Sequence, residues 1–343
     1  MKKFLSIVLA MVLIICCVPM STNASAAENK GTSRYTVLVM DISGESSFYS
    51  GSTKIYTASS SIDYVRTASV TFLQSVIRAQ GDNHVAVVTY SKYSNVLSDF
   101  TTDIQGVSNK VRAVVSDGSD VRDINSGLKS AKELLNKVEG DVKKSIVLVT
   151  TGFTNQGDYS YSGHYDSSVV GSDWYRTNTK VKLYAYANAA LATADDIKKD
   201  TVIYVTGLFQ TMNDIPEAGK SVAALFRLTA KDLATSEATF KDVANPNDFQ
   251  FAFDSIAEEI IDPGTGKALL GDVNFDGKVN SDDSLVILRA SVGLTKFTNR
   301  RHQIGNVNFD DKINSLDSLM VLRYSVGIKD NDKIGKEFDL AED

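Results

Sequence analysis

The chain has 343 residues, with 36 Lys and Arg against 42 Asp and Glu and a formal net charge of −6. This mildly acidic balance argues against a nucleic-acid partner, which would favour a basic face. The cysteines, Cys16 and Cys17, both lie in an N-terminal segment expected to be removed, so disulfides, thiol nucleophiles and cysteine metal sites are excluded from the mature chain.

That segment reads Met1-Lys2-Lys3, an apolar run from Phe4 to Met20, then small residues from Ser21 to Ala27. A basic start, a short apolar core and an A-x-A site predict a secretory signal peptide over residues 1–26, cut after Ala26 or Ala27. No charged stop-transfer cluster follows, and no later segment is apolar enough to span a bilayer. The remaining roughly 315 residues suit one large domain plus a small one.

From Arg34 to Ile261 apolar strand-like runs alternate with amphipathic helices, which predicts an α/β fold with a doubly wound, mostly parallel sheet flanked by helices. Strands are expected at Tyr35 to Met40, His84 to Tyr90, Ser145 to Thr150 and Val202 to Leu208, with an edge strand near Val96 to Phe100. Their Val, Ile and Leu suit burial on both faces. Helical spacing appears at Tyr64 to Arg78, Ile124 to Val138, Val181 to Lys198, Ala218 to Leu228 and Asp248 to Ile260.

The first strand runs into Asp41-Ile42-Ser43-Gly44-Glu45. With Val85 to Ser91, Asp123 to Leu128, Ile146 to Gly152 and the closing Phe249 to Ile260 helix, residues 34–262 resemble a von Willebrand factor A domain. The resemblance implies a binding domain, often with a divalent ion at the carboxyl ends of the strands. The family's ion motif is Asp-x-Ser-x-Ser, a Thr on the next loop and an Asp after the fourth strand. Asp41 and Ser43 are kept, whereas Glu45, Arg122 and Thr151 stand at the other positions. A guanidinium there would pair with Asp41 and Glu45 without a metal, which predicts a degenerate site without Mg²⁺. The competing expectation is an altered Mg²⁺ site using Glu45, with Arg122 turned to solvent.

Two insertions lie near the same face. Glu45 to Ile62 holds Phe48, Tyr49 and Tyr56, and Thr154 to Thr179 holds Tyr159, Tyr161, Tyr165, Trp174 and Tyr175. Aromatics among Ser, Gly and Asn could hold a protein or stack on sugar rings; the alternative is that they only pin long loops to the domain. The scattered histidines His84, His164 and His302, with no phosphate loop, nucleophile elbow or zinc motif, argue against an enzyme. The alternatives to a ligand-binding component are a structural adaptor and, less expected, a polysaccharide-active hydrolase accessory.

After Asp262-Pro263-Gly264-Thr265-Gly266, read as the start of a linker over 263–270, the chain repeats itself: Asp272 to Asp283 is answered 34 positions later by Asn306 to Asp317. Each twelve-residue loop runs into a helix, expected at Ser284 to Val292 and Ser318 to Val326. Ca²⁺ needs six or more oxygens, which such a loop supplies from positions 1, 3, 5, 7, 9 and 12. These are Asp272, Asn274, Asp276, the Lys278 carbonyl, Asn280 and Asp283, then Asn306, Asn308, Asp310, the Lys312 carbonyl, Asn314 and Asp317, with Gly277 and Asp311 at the sharp turn. Asn306 removes one charged ligand and Asp311 one glycine, so the second site should be the weaker.

This tandem resembles a type I-like dockerin over Gly271 to about Lys329, a small all-α module of two loop-helix units followed by a tail over 330–343. The resemblance implies docking to a cohesin domain of a scaffoldin in cellulosome-like extracellular complexes of anaerobic bacteria. The matching contact positions are Ser281, Asp282, Leu288 and Arg289 in the first half and Ser315, Leu316, Leu322 and Arg323 in the second. Packing between the two helices is the alternative for the leucines. The whole reads as a secreted, non-catalytic component of such a complex whose large domain binds a protein or glycan.

Overall fold

The computed structural model describes residues 33–50, 53–58, 61–169, 181–209, 217–261 and 267–340. The expected signal peptide lies outside them.

Strands β1 (Arg34–Asp41), β4 (Asn83–Tyr90), β5 (Ser94–Thr101), β6 (Lys143–Thr150), β7 (Val202–Leu208) and β8 (Phe240–Val243) form one sheet in the order β5-β4-β1-β6-β7-β8. All neighbours are parallel except β5, which runs antiparallel to β4 at the edge. Strand side chains alternate across the pleat, so each central strand feeds two cores. Val37 and Val39 of β1, with Ile146 and Leu148 of β6, enter one core; Leu38, Met40, Val147 and Val149 enter the other. Helices α3 (Ile124–Leu135), α4 (Leu183–Ile197) and α5 (Glu217–Leu233) cover the first face. Helices α1 (Ile62–Arg78), α2 (Ile104–Arg112) and α6 (Phe249–Ile261) cover the second.

Three elements here have weak sequence signals. Helix α2 is nine residues long and carries Gly106, whose backbone N–H is capped by Asp103. Strand β8 has four residues. The first insertion folds as an antiparallel hairpin of β2 (Ser46–Ser50) and β3 (Thr53–Ala58).

The C-terminal repeat forms a third core around Leu270, Val273, Ile287, Ile304, Val307, Val321 and Ile334. Helices α7 (Ser281–Ser291) and α9 (Ser315–Ser325) start three residues earlier than expected. The cause is a capping box in each: Asn280 with Asp283, and Asn314 with Asp317, satisfy the first free backbone donors. Three further elements complete the module. Helix α8 (Asn299–Gly305) leads into the second loop. Strands β9 (Lys267–Leu269) and β10 (Glu337–Asp339) pair antiparallel, so part of the expected linker and part of the expected tail close the module together. Among the described residues no helix is long and apolar enough to cross a membrane. The described residues make one compact unit.

Candidate functional site

At the carboxyl end of β1, Asp41 is 2% exposed and Arg122, just before the N-cap of α3, is fully buried. Asp41 Oδ1 accepts from the Ser43 backbone N (2.9 Å) and Ser43 Oγ (2.6 Å). Its Oδ2 accepts from Thr151 N, Thr151 Oγ1 and Arg122 Nε, each at 2.9 Å. A carboxylate offers about four lone-pair positions, so two donors on one oxygen and three on the other saturate it. Arg122 also donates through Nη2 to the Gly44 carbonyl (2.8 Å) and to Thr151 Oγ1 (3.2 Å). Its backbone N–H donates to Asn155 Oδ1 (2.8 Å), which fixes the loop. Burial by itself would raise the Asp41 pKa, but Arg122 and the hydrogen bonds from Ser43 and Thr151 outweigh it and hold the carboxyl below its usual range. The structure therefore brings Asp41, Ser43, Arg122 and Thr151 together, with the guanidinium on the Asp41 carboxylate; Glu45 is exposed.

The loops cross closely here. A Cβ on Gly44 would lie 2.8 Å from the Gly118 carbonyl carbon, and the Gly44 N–H donates to the Ser119 carbonyl (2.7 Å). Of the second insertion's aromatics, Tyr159 and Tyr161 are 54% and 51% exposed and pack edge-on against Tyr186 and Tyr184 of α4. Tyr165 corrects the expectation of an outward ring: it is 7% exposed, belongs to the first core, and donates to Asp232 at 2.6 Å. Trp174 and Tyr175 lie outside the described residues, and so do the side chains of Phe48, Tyr49 and Tyr56.

In the first C-terminal loop, Asp272 accepts from the N–H groups of Asp276 (3.1 Å) and Gly277 (3.0 Å), and Asp283 from those of Asn274 (3.2 Å) and Asn280 (2.9 Å). The second loop repeats the pattern, with Asn306 accepting from Asp310 N (3.1 Å) and Asp317 from Asn308 N (3.4 Å) and Asn314 N (3.0 Å). Burial first, then the charge of Asp276, pushes Asp272 up to about 7, and burial also leads in raising Asp283 to about 7. Both loops wind tightly: Gly277 and Asp311 have φ of 79° and 61°, and Phe275 and Phe309, which no sequence signal marked, have 59° and 61°. An aromatic in the left-handed region is strained. Asn280 and Asn314 spend their side-chain oxygens on the Asp282 and Leu316 N–H groups as caps. Among the described residues no three acidic, imidazole or thiol side chains already converge as a bound metal would hold them.

Helices α7 and α9 meet through Ser284 and Ser318, whose hydroxyls donate to each other's carbonyls at 2.8 and 2.9 Å, and through buried Ile287 and Val321. The leucines are not part of that packing. Leu285, Leu288, Leu316, Leu319 and Leu322 are 42–49% exposed. Ser281, Asp282, Arg289 and Ser315 are exposed beside them, as is Arg323, which pairs with Asp330 at 2.7 Å. The histidines sit apart: His84 stacks on Tyr35, His164 pairs with Asp195, and His302 lies in α8.

Residues 36–153 match the von Willebrand factor type A domain model and residues 270–324 the dockerin type I domain model. Among solved structures, the chain is similar to the vWF domain of the type V pili tip protein Mfa5 from Porphyromonas gingivalis, at 17% identity, covering 68% of this chain and 97% of that one with a TM-score of 0.48. It is similar to the pilus adhesin SpaC from Lactobacillus rhamnosus GG at 16% identity over 67% of this chain and 30% of that one, TM-score 0.48. Likeness to the PilB minor pilin from Streptococcus sanguinis reaches 14% identity over 68% and 62%, TM-score 0.49. No curated protein matches the chain. A mostly parallel six-stranded sheet between two helix layers, followed by two capped loop-helix units, accords with both domain matches: the chain carries a von Willebrand factor type A domain followed by a type I dockerin domain.

Proposed function

We propose that the chain is a secreted, non-catalytic component of a cellulosome-type assembly. Its dockerin plugs into a cohesin of a scaffoldin, and its N-terminal domain carries a protein or glycan ligand. Both domain types are typically non-catalytic, and the dockerin implies a cohesin partner. The observation that carries the reading is the apolar face left uncovered on both dockerin helices. Five leucines at helical spacing stay 42–49% exposed while Ile287 and Val321 fill the core. Such a patch, rimmed by Ser281, Asp282, Arg289 and Arg323, suits a protein interface.

Calcium fits the donor set of the loops. Their ligands would be Asp272, Asn274, Asp276, the Lys278 carbonyl, Asn280 and Asp283, with the weaker set from Asn306 to Asp317. The raised pKa values of Asp272 and Asp283 support this, since crowded, buried carboxylates are what a cation would stabilise. At the Asp41 site the saturated carboxylate and the buried guanidinium support a metal-free reading, and the ligand would then be held by exposed rings such as Tyr159 and Tyr161. The deciding experiment titrates the full chain with a panel of type I cohesins, with and without calcium. Binding that needs calcium and falls at least tenfold in Leu288→Asp or Leu322→Asp supports the reading. Binding that survives both changes together overturns it.

A further inference from the structure

The dockerin meets the N-terminal domain through groups that are neither the expected calcium donors nor part of the leucine faces. On α6, Asp254 and Glu258 lie one turn apart and are 3% and 6% exposed, although two carboxylates four residues apart on a helix repel. Arg301 of α8, 5% exposed, lies between them. Its Nη1 is 3.3 Å from Asp254 Oδ2, and its Nε is 2.8 Å from Glu258 Oε1, close enough for an ion pair without hydrogen-bond alignment. Thr298 Oγ1 donates to Glu258 Oε2, and Lys296 pairs with Asp248 at 2.7 Å. From the first ion loop, the Phe275 carbonyl accepts from the Gln80 N–H just past α1 (3.1 Å). The Phe275 ring packs against both the second sheet core and the dockerin core, with the Arg300 and Arg301 guanidinium carbons 5.4 and 5.7 Å from its centre.

The internal repeat supplies a control. Phe309 stands 34 positions after Phe275 with the same left-handed backbone, yet its ring meets Phe338 and Lys333 of the dockerin's own C-terminal segment. The counterpart of Arg301 in the first half, 34 positions earlier, is Lys267, whose ammonium pairs with Glu337 of the dockerin's own β10 at 3.4 Å. One loop is thus fitted to the neighbouring domain and its twin to its own module. We infer that the surface formed by the end of α1 and by Asp254 and Glu258 of α6 is a dedicated seat for the dockerin. It locks the two domains into one rigid body through Arg301 and Phe275 and leaves the leucine faces of α7 and α9 uncovered.

Small-angle scattering of the full chain should fit one fixed arrangement of the two domains; a profile that requires an ensemble of independently moving domains overturns the inference. In amide hydrogen exchange, Arg301→Glu leaves a buried acidic trio and should speed exchange in α6 and α8 on the order of a hundredfold. Exchange in β1 and β6 should stay unchanged. Adding Glu258→Arg should restore most of the protection by reversing the pair. Unchanged α6 exchange in the single variant, or no recovery in the double variant, overturns the seat.

Discussion

Asp41 and Arg122 form a fully buried ion pair at the carboxyl end of β1. With both side chains buried, removing the guanidinium strands a desolvated carboxylate, so Arg122→Met should cost on the order of 3–5 kcal/mol in denaturant unfolding. The pH dependence should also change sign. In the parent, the Asp41 pKa is lowered, so its contribution is complete above the ordinary carboxylate range and fades as pH falls through the lowered folded value. Without Arg122 only burial and the Ser43 and Thr151 hydrogen bonds remain. Burial, the largest influence, then raises the pKa, and part of the loss at neutral pH should be recovered on acidification. A variant whose deficit is the same at pH 7 and pH 5 would contradict this. A second residue-scale test concerns the left-handed positions. Gly277→Ala forces a side chain to φ 79° and should cost about 1 kcal/mol or more. Asp311→Gly relieves φ 61° and should gain under about 1 kcal/mol after the entropy cost of glycine. Thermal melts of the two full-length variants check the opposite signs.

At the scale of elements, the strands and long helices were legible because apolar runs and 3.6-residue spacing report burial directly: β1, β6 and α1 fall within two residues of expectation. The Arg122–Asp41 contact could be anticipated because the strand-loop order sets both at the carboxyl ends of the strands. The failures have a common cause in tertiary partners. Helix α8 carries one buried apolar side chain, Ile304, and owes its place to Arg301 meeting α6. Tyr165 looks like its exposed neighbours in sequence, and its burial follows from partners distant in the chain, Asn188 and Asp232. Phe275 and Phe309 adopt a conformation for which aromatic residues give no signal. For the ion loops, chelator should lower the melting temperature of the dockerin portion, and Asp272→Ala should lower calcium affinity more than Asn306→Ala, because it removes a charge as well as an oxygen. Calorimetric titration of the full-length variants measures both, and equal losses would remove the ranking.

Across the whole molecule, the ends of the dockerin matter as much as its loops. The Leu270 N–H donates to the Lys336 carbonyl (3.0 Å), the Gly335 N–H donates to the Leu270 carbonyl (2.8 Å), and Ile334 is 2% exposed in the small core. Ending the chain at residue 329 would expose that core and remove β10. The loss should be at least about 2 kcal/mol from Ile334 alone, seen as an earlier dockerin transition in thermal melts. A truncated chain that melts like the parent would refute the clamp.

The guanidinium on Asp41 has a consequence for where the protein can work. A dissolved ion occupies its site only as far as its concentration allows, and a chelator or a competing metal can take it away. A cation tethered to the backbone has a local concentration that dilution does not lower. On the metal-free reading proposed above, the loop face around Asp41 is set once, when the chain folds, and stays the same in calcium-poor or magnesium-poor surroundings.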